Sequence, residues 1–147
     1  LKYYEDIEVG ADVDFPGRYH VTQENIVAVG REWDPFPFHT DPEAARDSAF
    51  GGLVASTVHL FAITVKLGHS ATDLIAAVSS LGIDEFRNLA PAYAGDVLRM
   101  RCTYLDKRRS KSRPGTGITR SSCELINQDD KVLLRYISTA LVETRGD

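Results

Sequence analysis

The chain has few sulfur-bearing residues, with two cysteines and one methionine in 147 residues. Cys102 and Cys123 match neither a metal-binding spacing nor a disulfide framework. They are expected to be reduced core thiols of a cytoplasmic protein, or else to pair across neighbouring strands. The histidines at 20, 39, 59 and 69 follow no ligand pattern, so no zinc and no other resident cofactor is expected. An excess of positive charge is also lacking: the net charge is −4 and the sequence pI is near 5.5, which argues against a nucleic-acid partner. The longest apolar run, residues 53–68, is broken by His59 and Lys66 and is too short to cross a bilayer. The first ten residues, LKYYEDIEVG, carry acids where a secretion signal would carry its apolar stretch, so no membrane role is expected and the location is expected to be cytoplasmic. Residues 53–69 contain neither Asp nor Glu.

With 43% apolar residues, the chain can fill one core, and no repeat or linker divides it, so a single domain over 1–147 is expected. Residues 12–22 read as a first strand with a kink at Pro16-Gly17. Thr22 offers an N-cap to a helix over 23–33, whose apolar face would hold Ile26, Val27, Val29 and Trp33. Asp41-Pro42 opens a short helix by the same logic, with Pro at its first position. The segment 53–68 is apolar almost all round, which predicts a helix buried on most sides, with His59 as a core or pocket-wall residue. Four strands follow, over 76–90, 96–108, 117–127 and 131–145. In the second of them Leu98, Met100, Cys102 and Tyr104 alternate with more polar residues, so one face is buried. Early helices and late antiparallel strands make an α+β layout, a sheet packed on one dominant helix.

The most unusual stretch is REWDPFPFHTDPEAA, residues 31–45. Asp34 and His39 stand five positions apart across Pro-Phe-Pro-Phe, and two prolines in four residues argue against a helix or a central strand here. A carboxylate and an imidazole held close can share a water molecule, one moving its proton while the other orients it. Proline limits their wandering, and Phe36 and Phe38 would keep bulk water away. The same residues also fit a plainer role, with Asp34 ending one helix and His39 packing near the next.

The stretch WDPFPFHTDPEAARDSAFGGLVASTVHL resembles the signature of the MaoC-like (R)-specific enoyl-CoA hydratases and acyl dehydratases, with Asp34, Pro37, Phe38, His39, Asp41 and Ala45 in register. YYEDIEVG, LAPAYAGDVLRMR and KRRSKSRPGTGI are similar to further segments of that family, in order along the chain. The resemblance implies a hot-dog fold, an antiparallel sheet wrapped around one long buried helix, normally paired as a homodimer. It implies a lyase that adds water across the C2–C3 double bond of a trans-2-enoyl-CoA to give an (R)-3-hydroxyacyl-CoA, with coenzyme A present only as part of the substrate. Asp34 and His39 would be catalytic and bind the water. Backbone N–H groups at the start of the long helix would polarise the thioester, placing Gly52, Ser56 and Thr57 near the substrate with Phe36 and Phe38. Two positions depart from the family: Phe36 replaces an Asn or Gln, and Thr57 replaces a Gly.

The basic run KRRSKSR, residues 107–113, carries Lys107, Arg108, Arg109, Lys111 and Arg113. Arg113 and its neighbours would either hold coenzyme A phosphates or form a solvated hairpin tip. Ser56 lacks a Gly-x-Ser-x-Gly setting and is no nucleophile. Two rival functions remain, a hot-dog acyl-CoA thioesterase and a non-catalytic acyl-CoA-binding protein. The lack of acids in 53–69 counts against the first, and intact Asp34 and His39 count against the second.

Overall fold

The computed structural model describes residues 1–146, with Asp14 described by its backbone alone. A single 3-10 turn, Tyr4–Asp6, precedes two short strands, β1 (Asp12–Asp14) and β2 (Tyr19–His20). The interruption between them falls at the expected Pro16-Gly17 kink. Three helices follow, α1 (Gln23–Trp33), α2 (Pro37–Thr40) and α3 (Pro42–Arg46), and then the long helix α4 (Thr57–Gly68). The four late strands are β3 (Ala77–Asn88), β4 (Val97–Arg109), β5 (Thr116–Ile126) and β6 (Val132–Glu143). They form an antiparallel sheet in the order β1-β4-β5-β6-β3, with β2 pairing on β4 beside β1. The sheet wraps α4, which is the α+β hot-dog arrangement.

Helix α4 starts four residues later than the apolar run because Ser56 caps it, its Oγ accepting from the His59 N–H at 3.3 Å. Leu60, Ile63, Thr64 and Leu67 recur at helical spacing and are buried. They pack with Leu98, Met100, Leu125, Leu133 and Tyr136 of the sheet in the main core, each large side chain contributing about 2 kcal/mol by burial. The opposite face is not covered as its composition predicts: Val58 and Val65 are 43% and 47% exposed. Helix α1 has the expected Thr22 cap, but Trp33 is 66% exposed while Gly30 is buried. The inward stripe therefore runs through Ile26 and Gly30, and the aromatic side chain lies outside it.

Cys102 and Cys123 correct the expectation of two free thiols. They are direct partners on β4 and β5, with Cα atoms 4.2 Å apart, and are joined as a disulfide. The two-residue strand period puts both on the inner face, and the register sets them opposite each other. No helix among the described residues is long and apolar enough to cross a membrane.

Candidate active site

Asp34 and His39 sit at the two ends of a tightly wound turn. The Asp34 N–H closes α1 on the Gly30 carbonyl at 2.9 Å, and the Phe36 N–H returns to the Asp34 carbonyl at 2.9 Å. The bridge is not wholly non-helical, as its prolines suggest: α2 forms one turn with Pro37 at its first position, where no N–H is needed. The Asp41 carboxylate caps α3, accepting from the Glu43 and Ala44 N–H groups. Gly30 lets this turn lie against α1, since a Cβ there would meet the His39 carbonyl oxygen at 2.6 Å.

His39 is 6% exposed. Its Nδ1 lies 2.6 Å from the Val54 carbonyl oxygen, which can only accept, so Nδ1 carries the hydrogen. In the neutral ring Nε2 therefore keeps its lone pair, and this atom lies 3.5 Å from Asp34 Oδ2. Two acceptors at that separation do not bond directly, but one water can donate a hydrogen to each. Phe38 meets the imidazole edge-on with centroids 4.6 Å apart, and Phe36 stacks on Phe38 at 5.4 Å. The Val54 strap is fixed in turn: its N–H donates to the Phe38 carbonyl, and the Ala55 N–H donates to the Ala92 carbonyl.

The pair faces a cavity of about 460 Å³ whose lining includes Phe36, Phe38, Phe50, Thr57, Asn88 and Leu89. Asp34 and Thr57 also border an open apolar groove of about 530 Å³, walled by Trp33, Val58, Phe61, Ile83 and Phe86. The head of α4 opens here, and the N–H groups of Thr57 and Val58 have no acceptor among the described residues.

Other candidates fall elsewhere. Ser56 is buried and engaged as the helix cap. Gly52 follows the bend at Gly51, whose φ is 70°, and its nearest neighbour is the Tyr93 ring at 4.0 Å. Arg113 lies in the turn after β4, about 40 Å along that strand from the loop beside the cavity. Lys107 and Arg109 engage the first residues of the chain, Lys107 donating to the Tyr4 carbonyl at 3.0 Å and Arg109 to Glu5 at 3.1 Å. His59 is buried as expected, its Nε2 3.0 Å from the Tyr19 hydroxyl and its Nδ1 unpartnered. Burial, and then the neighbouring His39, push its pKa down. Sequence reasoning missed Gly30, Asn88 and the Val54 carbonyl. An isolated glycine in a helical pattern is the one signal that could have found the first. No group of three or more metal-binding side chains is present among the described residues.

A wrapped sheet, a carboxylate oxygen 3.5 Å from an oriented imidazole, and a helix head opening on the same cavity define a hot-dog protein. The chain belongs to the MaoC like domain family, which matches residues 6–124. It is 36% identical to the MaoC-like dehydratase from Rhodospirillum rubrum, with both chains fully covered and a TM-score of 0.92. The (R)-hydratase from A. caviae involved in PHA biosynthesis shares the fold at 18% identity and a TM-score of 0.72, over 95% of this chain and 98% of that one. So does Rv0216 from Mycobacterium tuberculosis, a double hot-dog protein, at 18% identity and a TM-score of 0.79, over 99% of this chain and 45% of that one.

Proposed function

We propose that this protein is a hydro-lyase that reversibly adds water across the C2–C3 bond of a trans-2-enoyl-CoA, giving an (R)-3-hydroxyacyl-CoA. The observation that carries the reading is the 3.5 Å gap between His39 Nε2 and Asp34 Oδ2, with Nδ1–H committed to the Val54 carbonyl. A water donating to both acceptors keeps its oxygen lone pairs free to attack C3. As the C3–O bond forms, a water proton passes to His39 Nε2, and the pair returns a proton to C2. One water is consumed and both side chains end as they began. Negative charge developing on the thioester oxygen is met by the free N–H groups and dipole at the head of α4.

In this reading the acyl chain lies along the apolar groove, coenzyme A enters only as part of the substrate, and no other cofactor takes part. The protein acts in the cytoplasm as a homodimer. The dimer is supported by β3, which among the described residues pairs on one side only and exposes Val78, Leu81 and Ile83 beside the uncovered face of α4.

The test is crotonyl-CoA mixed with the protein while enoyl-thioester absorbance and free thiol are followed together. Falling absorbance with no thiol is expected. Thiol release would replace the reading with a thioesterase, and binding without either signal would leave an acyl-CoA carrier.

A further inference from the structure

Thr57 is the first residue of α4 and borders both the Asp34–His39 cavity and the apolar groove. The last residue of β3, Asn88, reaches across from the sheet, and its Nδ2 donates to Thr57 Oγ1 at 3.0 Å. An amide nitrogen only donates, so this bond occupies a lone pair of the hydroxyl and leaves the Thr57 proton to be given elsewhere. No acceptor for that proton is present among the described residues. A hydroxyl that accepts from an amide becomes a stronger donor. The free N–H of the same residue stands beside it.

We propose that the Thr57 hydroxyl, oriented by Asn88, is a donor to the substrate's thioester oxygen, acting beside the backbone N–H groups at the head of α4. The proposal rests on the hydro-lyase reading for its substrate. Asn88 is then a positioning residue, and Thr57 touches the reacting group. A threonine here crowds the approach to its own backbone, as the Cβ stands where glycine would leave space. The hydroxyl supplies a donor that reaches farther than the backbone N–H. The pair is exposed at the mouth of the cavity, where the hydroxyl is open to an entering ligand.

Two readouts test it. One is the steady-state hydration of crotonyl-CoA. The other is the infrared stretch of the ¹³C-labelled thioester carbonyl in bound butyryl-CoA, which cannot be hydrated. Thr57→Val keeps the shape and removes the donor. It should lower kcat by about 10²-fold, the usual loss of one such donor, with KM nearly unchanged and a smaller carbonyl shift. Thr57→Ser should restore most of both. Asn88→Asp should resemble Thr57→Val, because a carboxylate would draw the Thr57 proton to itself, whereas Asn88→Ala should lose less. Thr57→Val with wild-type kcat and carbonyl shift would overturn the proposal, as would an Asn88→Asp variant that stays fully active. Wild-type protein that shifts the butyryl-CoA carbonyl but hydrates no enoyl thioester would remove the hydro-lyase reading and leave the Thr57 contact standing. Failure to bind any thioester would remove both.

Discussion

Gly30 and His39 are in van der Waals contact through the absence of a side chain: a Cβ on Gly30 would stand 2.6 Å from the His39 carbonyl oxygen and 2.9 Å from its Cβ. The obstacle is backbone on a turn already closed by hydrogen bonds, so it cannot rotate aside. Gly30→Ala should push α2 away from α1, costing about 1–3 kcal/mol as overpacked sites do. The 3.5 Å Asp34–His39 gap would change with it. Activity should fall more than tenfold in protein that still melts cooperatively. Wild-type kcat in Gly30→Ala would mean that His39 is placed by the Val54 strap alone.

Asp34→Asn and His39→Asn should each reduce hydration by about 10²–10⁴-fold, the usual range for a positioned acid or base. Asn is the better replacement for His39, because its Nδ2 stands where Nδ1 does and can still donate to the Val54 carbonyl and hold the strap. Asn at 34 exchanges an acceptor for a donor that can bond directly to Nε2 and displace the water. Both side chains serve one water, so the double variant should lose little beyond the worse single one. Losses that multiply in the double variant would show that the two residues act in separate steps.

The elements nearest the chemistry announced themselves unevenly in the sequence. Thr22 and Asp41 were legible as caps because a short polar side chain before a helical pattern has a local meaning. The strands were legible because alternation needs no partner to be recognised. Asp34 and His39 were found by the stiffness of the bridge between them and by family resemblance. Asn88 was not, since its role depends on β3 ending beside α4, a relation between residues 31 positions apart. By charge, Arg113 stood open between a phosphate ligand and a solvated hairpin tip; it lies in the turn beyond β4, and length along a strand is invisible in composition. The cysteines needed the β4–β5 register, which sequence leaves open by a residue either way, and one residue moves a side chain to the other face.

Glu124 lies between Arg101 and Arg135 on the three neighbouring strands, accepting from both at 2.9 Å with its side chain 15% exposed. Burial alone would raise its pKa, but the two guanidinium groups outweigh that and hold it below its ordinary 4.5. A depressed carboxylate contributes stability that is fully present above the unfolded value and is lost as pH falls through the folded one. Glu124→Gln should therefore cost about 1 kcal/mol at neutral pH, a modest figure because the arginines are half exposed. The difference from wild type should shrink below pH 4.5, toward equality once Glu124 is protonated. Urea melts at pH 7 and at acid pH measure it directly, and a gap that stays constant with pH would mean the effect is packing.

Leu81 lies midway along β3 and is 51% exposed on a strand whose outer edge has no partner among the described residues. The strand is bulged at three places, with Gly82 and Glu85 at positive φ, which blunts open-ended pairing without covering its apolar side chains. Val58 and Val65 on α4 lie uncovered as well. A second copy offers the same edge and the same helix face, so one twofold contact would bury both sets at once. Leu81→Lys places a charge in that contact and should convert a micromolar dimer to monomer in sedimentation equilibrium, leaving the single-chain core intact. Ile83 and Phe86 of β3 also wall the groove beside Asp34, so dissociation should raise KM for longer acyl chains more than for crotonyl-CoA. A wild-type chain that sediments as a monomer at these concentrations would remove the homodimer from the proposal. A Leu81→Lys dimer would place the interface elsewhere on the molecule.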